Sequence, residues 1–307
     1  MEPYPILELS PGEFPPLLRE IPDSPKKLYR RGILMHEDAP SSHQDRKLLC
    51  VVGSRNYSSY GKEVVSQLIA GLREYPITIV SGLAIGIDGL AHTAALETGL
   101  HTIAVPGSGL RDEVLYPHRH KNLAHKILGA GGGFLSEYEP DFHAMNWSFT
   151  RRNRIMAGMS HATLIIEASE QSGTLVTARL AMEYNRDVLT VPGSIFSKNS
   201  YGPHMLIRDG ATPITSATDI LEALGLKERL YEKDEHFETY SKEEQQVLKL
   251  LNEPLGKDAL IRALDTDTSS ANILLTMMEL KGLIQEDNGK ISANLRKPSY
   301  VDSLTKQ

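Results

Sequence analysis

The 307-residue chain contains a single cysteine, Cys50, so no intrachain disulfide can form, and a reducing, cytoplasmic setting is expected. Within the apolar run Leu48-Leu49-Cys50-Val51-Val52 it reads as a small buried hydrophobe. No stretch approaches the roughly 20 apolar residues that a membrane helix needs. The start, Met1-Glu2-Pro3-Tyr4-Pro5, has neither the basic head nor the apolar run of a signal peptide. Positive charge is not in excess: 33 Lys and Arg against 39 Asp and Glu leave a net charge of −6. That balance bears on solubility and long-range steering rather than on what a local cleft holds. Also missing are a Gly-x-Gly-x-x-Gly dinucleotide fingerprint, a Walker lysine and a Gly-x-Ser-x-Gly nucleophile elbow, which argues against NAD, ATP and serine-hydrolase chemistry. Asp88 and His92 are four apart on one expected helix but are too few for a metal site, so neither metal nor cofactor is expected.

What is present is a repeated pattern of short apolar runs that break into Gly/Ser-rich loops. Val51-Val52 runs into Gly53-Ser54-Arg55, and Ile77-Thr78-Ile79-Val80 into Ser81-Gly82-Leu83-Ala84-Ile85-Gly86. Thr102-Ile103-Ala104-Val105 runs into Pro106-Gly107-Ser108-Gly109, and Val188-Leu189-Thr190-Val191 into Pro192-Gly193-Ser194. Alternation of such runs with amphipathic stretches predicts βαβ units, and hence an α/β fold with a doubly wound, mostly parallel Rossmann-like sheet. In such a sheet the carboxyl ends of the strands share one edge, where glycine lets backbone approach a ligand and helix N-termini attract anions. A row of these loops fits an extended polyanion.

Five segments are expected. Residues 1–45 form a proline-rich lead-in anchored by Ile6, Leu7, Leu17, Leu18 and Leu28, ending in the polar break Ser41-Ser42-His43-Gln44-Asp45. Residues 46–226 form the Rossmann-like domain, and the charge-dense 227–240 a linker. In 241–297, three helices precede two short strands flanking Asp287-Asn288-Gly289, and Asn-Gly there is a hairpin signal, so a winged helix is expected. Residues 298–307 are a tail. The third of these helices carries little positive charge, a poor match to duplex phosphates.

The main basic concentration is Asn146-Trp147-Ser148-Phe149-Thr150-Arg151-Arg152-Asn153-Arg154, where arginine forks suit phosphates and aromatic faces suit unpaired bases. Arg119 lies in a second, milder patch with His118, His120, Lys121 and His125. Ser172-Gly173-Thr174 offers two hydroxyls at a helix start. Apolar residues near Met205, Ile214, Ile220 and Leu224 are candidates for a dimer face.

Taken in order, these motifs resemble the bacterial DNA-processing protein A (DprA/Smf) family. The matching stretches are Gly53-Ser54-Arg55, Ser81-Gly82-x-Ala84-x-Gly86-Ile87-Asp88 with Ala91-His92, and Gly107-x-Gly109-Leu110 with Tyr116-Pro117. Arg152-Asn153-Arg154-Ile155-x-Ala157-Gly158, Glu167-Ala168, Ser172-Gly173-Thr174-Leu175 and Val191-Pro192-Gly193 complete them. The resemblance implies a non-enzymatic, single-stranded DNA-binding homodimer. It would protect incoming DNA and load the RecA recombinase during natural transformation and recombination. On that mapping Arg55, Arg151, Arg152 and Arg154 are phosphate contacts, joined by the backbone of Gly53, Ser54 and Gly82 and the hydroxyls of Ser172 and Thr174. Trp147 or Phe149 stacks on a base. Gly86, Gly107, Arg119, Asn153 and Gly173 complete the expected interface. His120 stands where the family usually carries Asn, and Gly202-Pro203-His204 where Gly-Cys-Asn is frequent. The alternative is a phosphoribohydrolase-like enzyme on a related nucleotide-binding fold. Its catalytic glutamate soon after a Gly-Thr loop has no counterpart in Leu175-Val176-Thr177.

Overall fold

The structure, a computed structural model, describes residues 4–34, 46–226, 240–251, 255–264, 266–287 and 289–293. The polar break at 41–45, most of the linker and the tail lie outside the described residues. The chain forms two compact units, 1–228 and 229–307.

The first unit runs β1 (Ile6–Leu9), α1 (Pro16–Arg19), β2 (Leu28–Gly32), β3 (Lys47–Val52), α2 (Ser59–Ala70), β4 (Ile77–Ser81), α3 (Ile87–Thr98) and β5 (His101–Ala104). It continues α4 (Lys121–Gly129), β6 (Gly133–Ser136), α5 (Asn146–Met159), β7 (Ala162–Ile165), α6 (Thr174–Glu183), β8 (Asp187–Thr190), α7 (Tyr201–Arg208), β9 (Thr212–Pro213) and α8 (Ala217–Ala223). The nine strands lie in the order β1-β2-β6-β5-β4-β3-β7-β8-β9. From β6 to β9 all pairs are parallel, whereas β1, β2 and β6 pair antiparallel.

Alternation along β3 builds both faces of the sheet. Cys50 and Val52 join one core with Val80, Ile103 and Leu135, covered by Ile155 and Met156 of α5 and Ala178 of α6. Leu49 and Val51 join the other with Ile79 and Leu164, covered by Val65 and Ile69 of α2 and Ala91 and Ala95 of α3. A strand apolar on both sides belongs mid-sheet, and β3 sits there. Burial pushes the Cys50 thiol pKa far up, as expected of a packed hydrophobe rather than a nucleophile.

Two expectations are corrected. The proline-rich lead-in contributes β1 and β2 to the sheet, and Leu9, Phe14, Leu18, Ile21 and Leu28 to the first core, while Leu7 points outward. Ile214, Ile220 and Leu224, expected at a dimer face, are at most 5% exposed and complete the second core, and Met205 packs on the first. The spacing of Ile220 and Leu224 marks the side of α8 that covers the sheet.

In the second unit α9 (Lys242–Leu250), β10 (Leu255–Gly256), α10 (Lys257–Ala263), α11 (Thr268–Leu280), β11 (Ile284–Asp287) and β12 (Lys290–Ala293) form a winged helix. Its antiparallel sheet has the order β10-β12-β11. Val247, Leu260, Ala271, Leu275, Met278 and Ile291 make its own core. The outer side of α11 exposes Ile273, Met277 and Leu280, an apolar stripe rather than a basic one.

Candidate nucleic-acid interface

The chain winds from β3 through β4 and β5 to one side and from β7 through β8 to the other, so the switch point lies between the carboxyl ends of β3 and β7. The loops after β3 and β4 are joined there. The Ile87 amide donates to the Ser54 carbonyl at 3.1 Å, and the Asn56 amide to the Ser54 hydroxyl at 3.1 Å. Gly53 backs onto Ile87, whose Cγ1 would lie 2.7 Å from a Cβ. Gly86 has φ +99°, and a Cβ there would overlap the Ser54 carbonyl. Gly86→Ala is expected to cost about 1–3 kcal/mol of stability from backbone strain alone and to displace the Arg55 loop. Urea unfolding beside binding assays checks this; wild-type behaviour in both would remove the loop-joining role.

Helix α5 distributes its polar residues by the helical period. Ser148 faces inward, its hydroxyl 2.6 Å from the Gly107 carbonyl, while Trp147 and Arg151, four apart, face solvent. Arg152 and Arg154 are buried, 4% and 5% exposed, which corrects their expected place as phosphate contacts. Arg152 Nη1 donates to the Gly82 carbonyl at 2.6 Å and to the Val105 carbonyl, and Nε donates to Asn153 Oδ1 at 3.2 Å. A Cβ on Gly82 would collide with this guanidinium, so glycine at 82 accommodates arginine rather than a ligand. Arg154 donates to the Asp23 carbonyl at 2.6 Å and pairs with Glu137 and the Asp23 carboxylate. It anchors the N-terminal segment.

Beneath these loops Asp88 accepts from the Gly82 amide at 3.2 Å. Burial raises its pKa, opposed by Arg152 and by the Ala84 and Gly82 amides. His92 Nδ1 lies 2.7 Å from the Thr102 hydroxyl, which itself donates to the Ile79 carbonyl. Burial foremost, then neighbouring His120, depresses the His92 pKa to about 3. Asp88 and His92 thus serve separate interior bonds, and among the described residues no three potential metal ligands gather. His120 Nδ1 lies 2.7 Å from the carbonyl of Leu83, a residue at φ 58°, and so supports the loop from below.

The exposed chemistry lies above this scaffold. The Arg55 guanidinium stands 5.6 Å from the centroid of Phe149, whose ring is 5.4 Å from Tyr116. Tyr116 is exposed and 6.3 Å from His118, with Arg119 exposed in the same segment. Gly107 leaves room for Phe149, which would otherwise meet a Cβ at 2.6 Å. Trp147, half exposed, leans edge-on against Tyr138 and Phe142. Arg151 Nε lies 3.4 Å from Glu137, a carboxylate whose pKa burial raises against the pull of Arg154 and Arg151. Tyr116 is missing from the sequence-based set because a lone Tyr before Pro carries no sign of which ring it will touch.

Across the switch point Ser172 is half-buried, Gly173 exposed and Thr174 buried, with the Thr174 amide donating to the Ser172 hydroxyl at 3.2 Å. Sequence reasoning also missed the role of Glu167. This buried carboxylate accepts from the Ser58 amide at 2.9 Å, the Ser58 hydroxyl at 2.5 Å and Asn199 Nδ2 at 3.2 Å. It fills the anion position at the start of α2, where a dinucleotide phosphate sits in folds of this kind. It is thereby committed to structure and is not a free carboxylate beside the Ser172-Gly173-Thr174 loop. No helix among the described residues is long and apolar enough to cross a membrane.

The fold defines an extended Rossmann-like domain followed by a winged helix. Residues 6–225 match the family described as DNA recombination-mediator protein A, and 235–290 match the DprA winged helix domain. The chain belongs to the DNA recombination-mediator protein A family. It is 43% identical over 211 residues to Protein Smf of Escherichia coli, a match covering 69% of this chain and 54% of that relative. It therefore spans about half the length of that curated relative. The X-ray structure of DNA processing protein A from Streptococcus pneumoniae superposes with a TM-score of 0.63 at 39% identity, covering 72% of this chain and 74% of that one. DNA processing protein A from Helicobacter pylori, solved in a study of its single-stranded DNA binding mode, superposes with a TM-score of 0.61 at 28% identity. That match covers 72% of this chain and 96% of the other.

Proposed function

We propose that the first unit binds single-stranded DNA along the carboxyl edge of its sheet, without turnover, in the processing and recombination of incoming DNA during natural transformation. The observation that carries this reading is the Arg55–Phe149–Tyr116 platform, an exposed cation and an exposed ring on either side of half-buried Phe149, on loops fixed from below. Arg55, Arg151 and Arg119 would meet phosphates, with Ser54 and, further along the edge, Ser172 and Gly173. Phe149, Tyr116 and Trp147 would stack on bases. Arg152, Arg154, Asn153, Thr174 and the glycines at 53, 82, 86 and 107 act as positioning residues. Backbone and stacking contacts predict little sequence preference and a preference for single strands over duplex. The reading carries two partners, the RecA recombinase loaded onto the bound strand and a second copy of this chain.

The test is fluorescence anisotropy with an oligothymidylate and a duplex of equal length. Arg55→Ala is expected to weaken single-strand binding about tenfold through lost stacking and charge. It should also lower the magnitude of the log affinity against log salt slope by about 0.7, one phosphate contact. Equal affinity of the wild-type protein for both forms, or an Arg55→Ala titration identical to wild type, would refute the proposal.

A further inference from the structure

Among the described residues of the first unit, the loop after β8 presents the most exposed large apolar side chains: Phe196 is 91% and Ile195 80% exposed. The backbone that carries them is firmly tied. The Ser197 amide donates to the Ser194 carbonyl at 3.0 Å, and the Ala168 amide to the Asn199 carbonyl at 2.8 Å. The Tyr60 hydroxyl donates to the Pro192 carbonyl at 2.7 Å, and His204 Nε2 lies 3.0 Å from the Gly193 carbonyl. A held loop thus offers two adjacent apolar side chains that no internal packing uses, and adjacent exposure of this kind marks a binding surface more than scattered exposure does.

Two observations select the occupant. The first is continuity with the interface above: Asn199 Nδ2 donates to the carbonyl of Asn56, next to Arg55, at 3.0 Å. The second is charge. Residues 53–60 and 192–201 carry Arg55 and Lys198 and no carboxylate, and neighbouring Glu167 is already engaged by Ser58 and Asn199. The flanking rings of Tyr57, Tyr60 and Tyr201 are exposed as well. Exposed Glu170 lies in the adjoining β7 loop, but no ion pair ties it to either cation, and aromatic faces beside exposed cations suit bases and phosphates of a single strand.

We propose that Phe196, with Lys198, forms a second stacking subsite for single-stranded DNA, extending the Arg55–Phe149 platform past the switch point. It rests on the reading of the first unit as a single-strand binder. The subsite lies away from the central platform, so its contribution depends on strand length. The full chain is titrated with oligothymidylates of about 5 and about 16 nucleotides, spanning the range of known site sizes. Phe196→Ala should weaken the longer oligomer roughly tenfold while leaving the shorter one unchanged, and Phe196→Tyr should restore the loss. Arg55→Ala should weaken both. If Phe196→Ala binds both lengths like wild type while Arg55→Ala is impaired, the subsite is overturned and the central platform stands. The subsite is equally overturned if Phe196→Ala changes only the oligomeric state in sedimentation, because a protein then occupies the loop. If the wild-type chain binds neither oligomer, both readings fall.

Discussion

Arg152→Ala is expected to destabilise the first unit by about 2–6 kcal/mol, because it strips the donor from two buried carbonyls at about 1–3 kcal/mol each. Its guanidinium donates to the Gly82 and Val105 carbonyls, and its charge acts on the buried Asp88 carboxylate. Truncation would leave two carbonyls without a donor, remove a positive charge that favours the ionised Asp88, and open a void under the β4 loop. Arg152→Lys should recover only part, since one ammonium could serve the two carbonyls but has no counterpart to the Nε–H that donates to Asn153 Oδ1. Urea unfolding checks the magnitude. A normal unfolding midpoint together with lost DNA binding would return Arg152 to the role of a phosphate contact. Arg55→Ala should behave in the opposite way, keeping the midpoint and losing affinity.

Acidification from neutral pH should weaken the same region through His92. Its folded pKa, about 3, lies below that of an ordinary histidine, so the unfolded chain binds the extra proton first. The stability it contributes is complete above about pH 6.5 and is lost as pH falls toward 3, by about 3 kcal/mol at pH 4. Desolvation is the main cause, and His120 and Arg152 add like charge. Asp88 acts in the other direction. Burial raises its pKa, so its protonation stabilises the fold as pH falls toward the ordinary carboxylate range. His92→Asn, which keeps a hydrogen-bonding group for Thr102, should flatten the stability profile between about pH 6.5 and 4. An unchanged profile would locate the acid sensitivity elsewhere.

Much of the fold is legible locally. Helix α3 is expected over 87–98 with Gly99 ending it, and its C-cap is Gly99 at φ +75°. The Asp287-Asn288-Gly289 hairpin signal is matched by the antiparallel pairing of β11 and β12 on either side of it, Asn288 itself lying outside the described residues. The antiparallel β1–β2–β6 edge is not legible, because it depends on partners more than 100 residues apart, Tyr29 beside Ser136 for one. Spacing also misleads at Ile220 and Leu224, where an apolar face looks the same whether it meets a second chain or its own sheet.

The arginines of α5 draw the same line most sharply. Their presence beside aromatics, on a sheet of glycine-edged strands, follows from composition and order, and points to a polyanion from the chain alone. Which of them face that ligand is decided by where α5 lies against the loops of β4 and β5. Arg152 turns in beneath those loops, whereas Arg154, only about 60° around the helix from exposed Arg151, is buried because the N-terminal segment at Asp23 covers it. Periodicity separates the faces of a helix, and only packing against the rest of the chain says which face is inside.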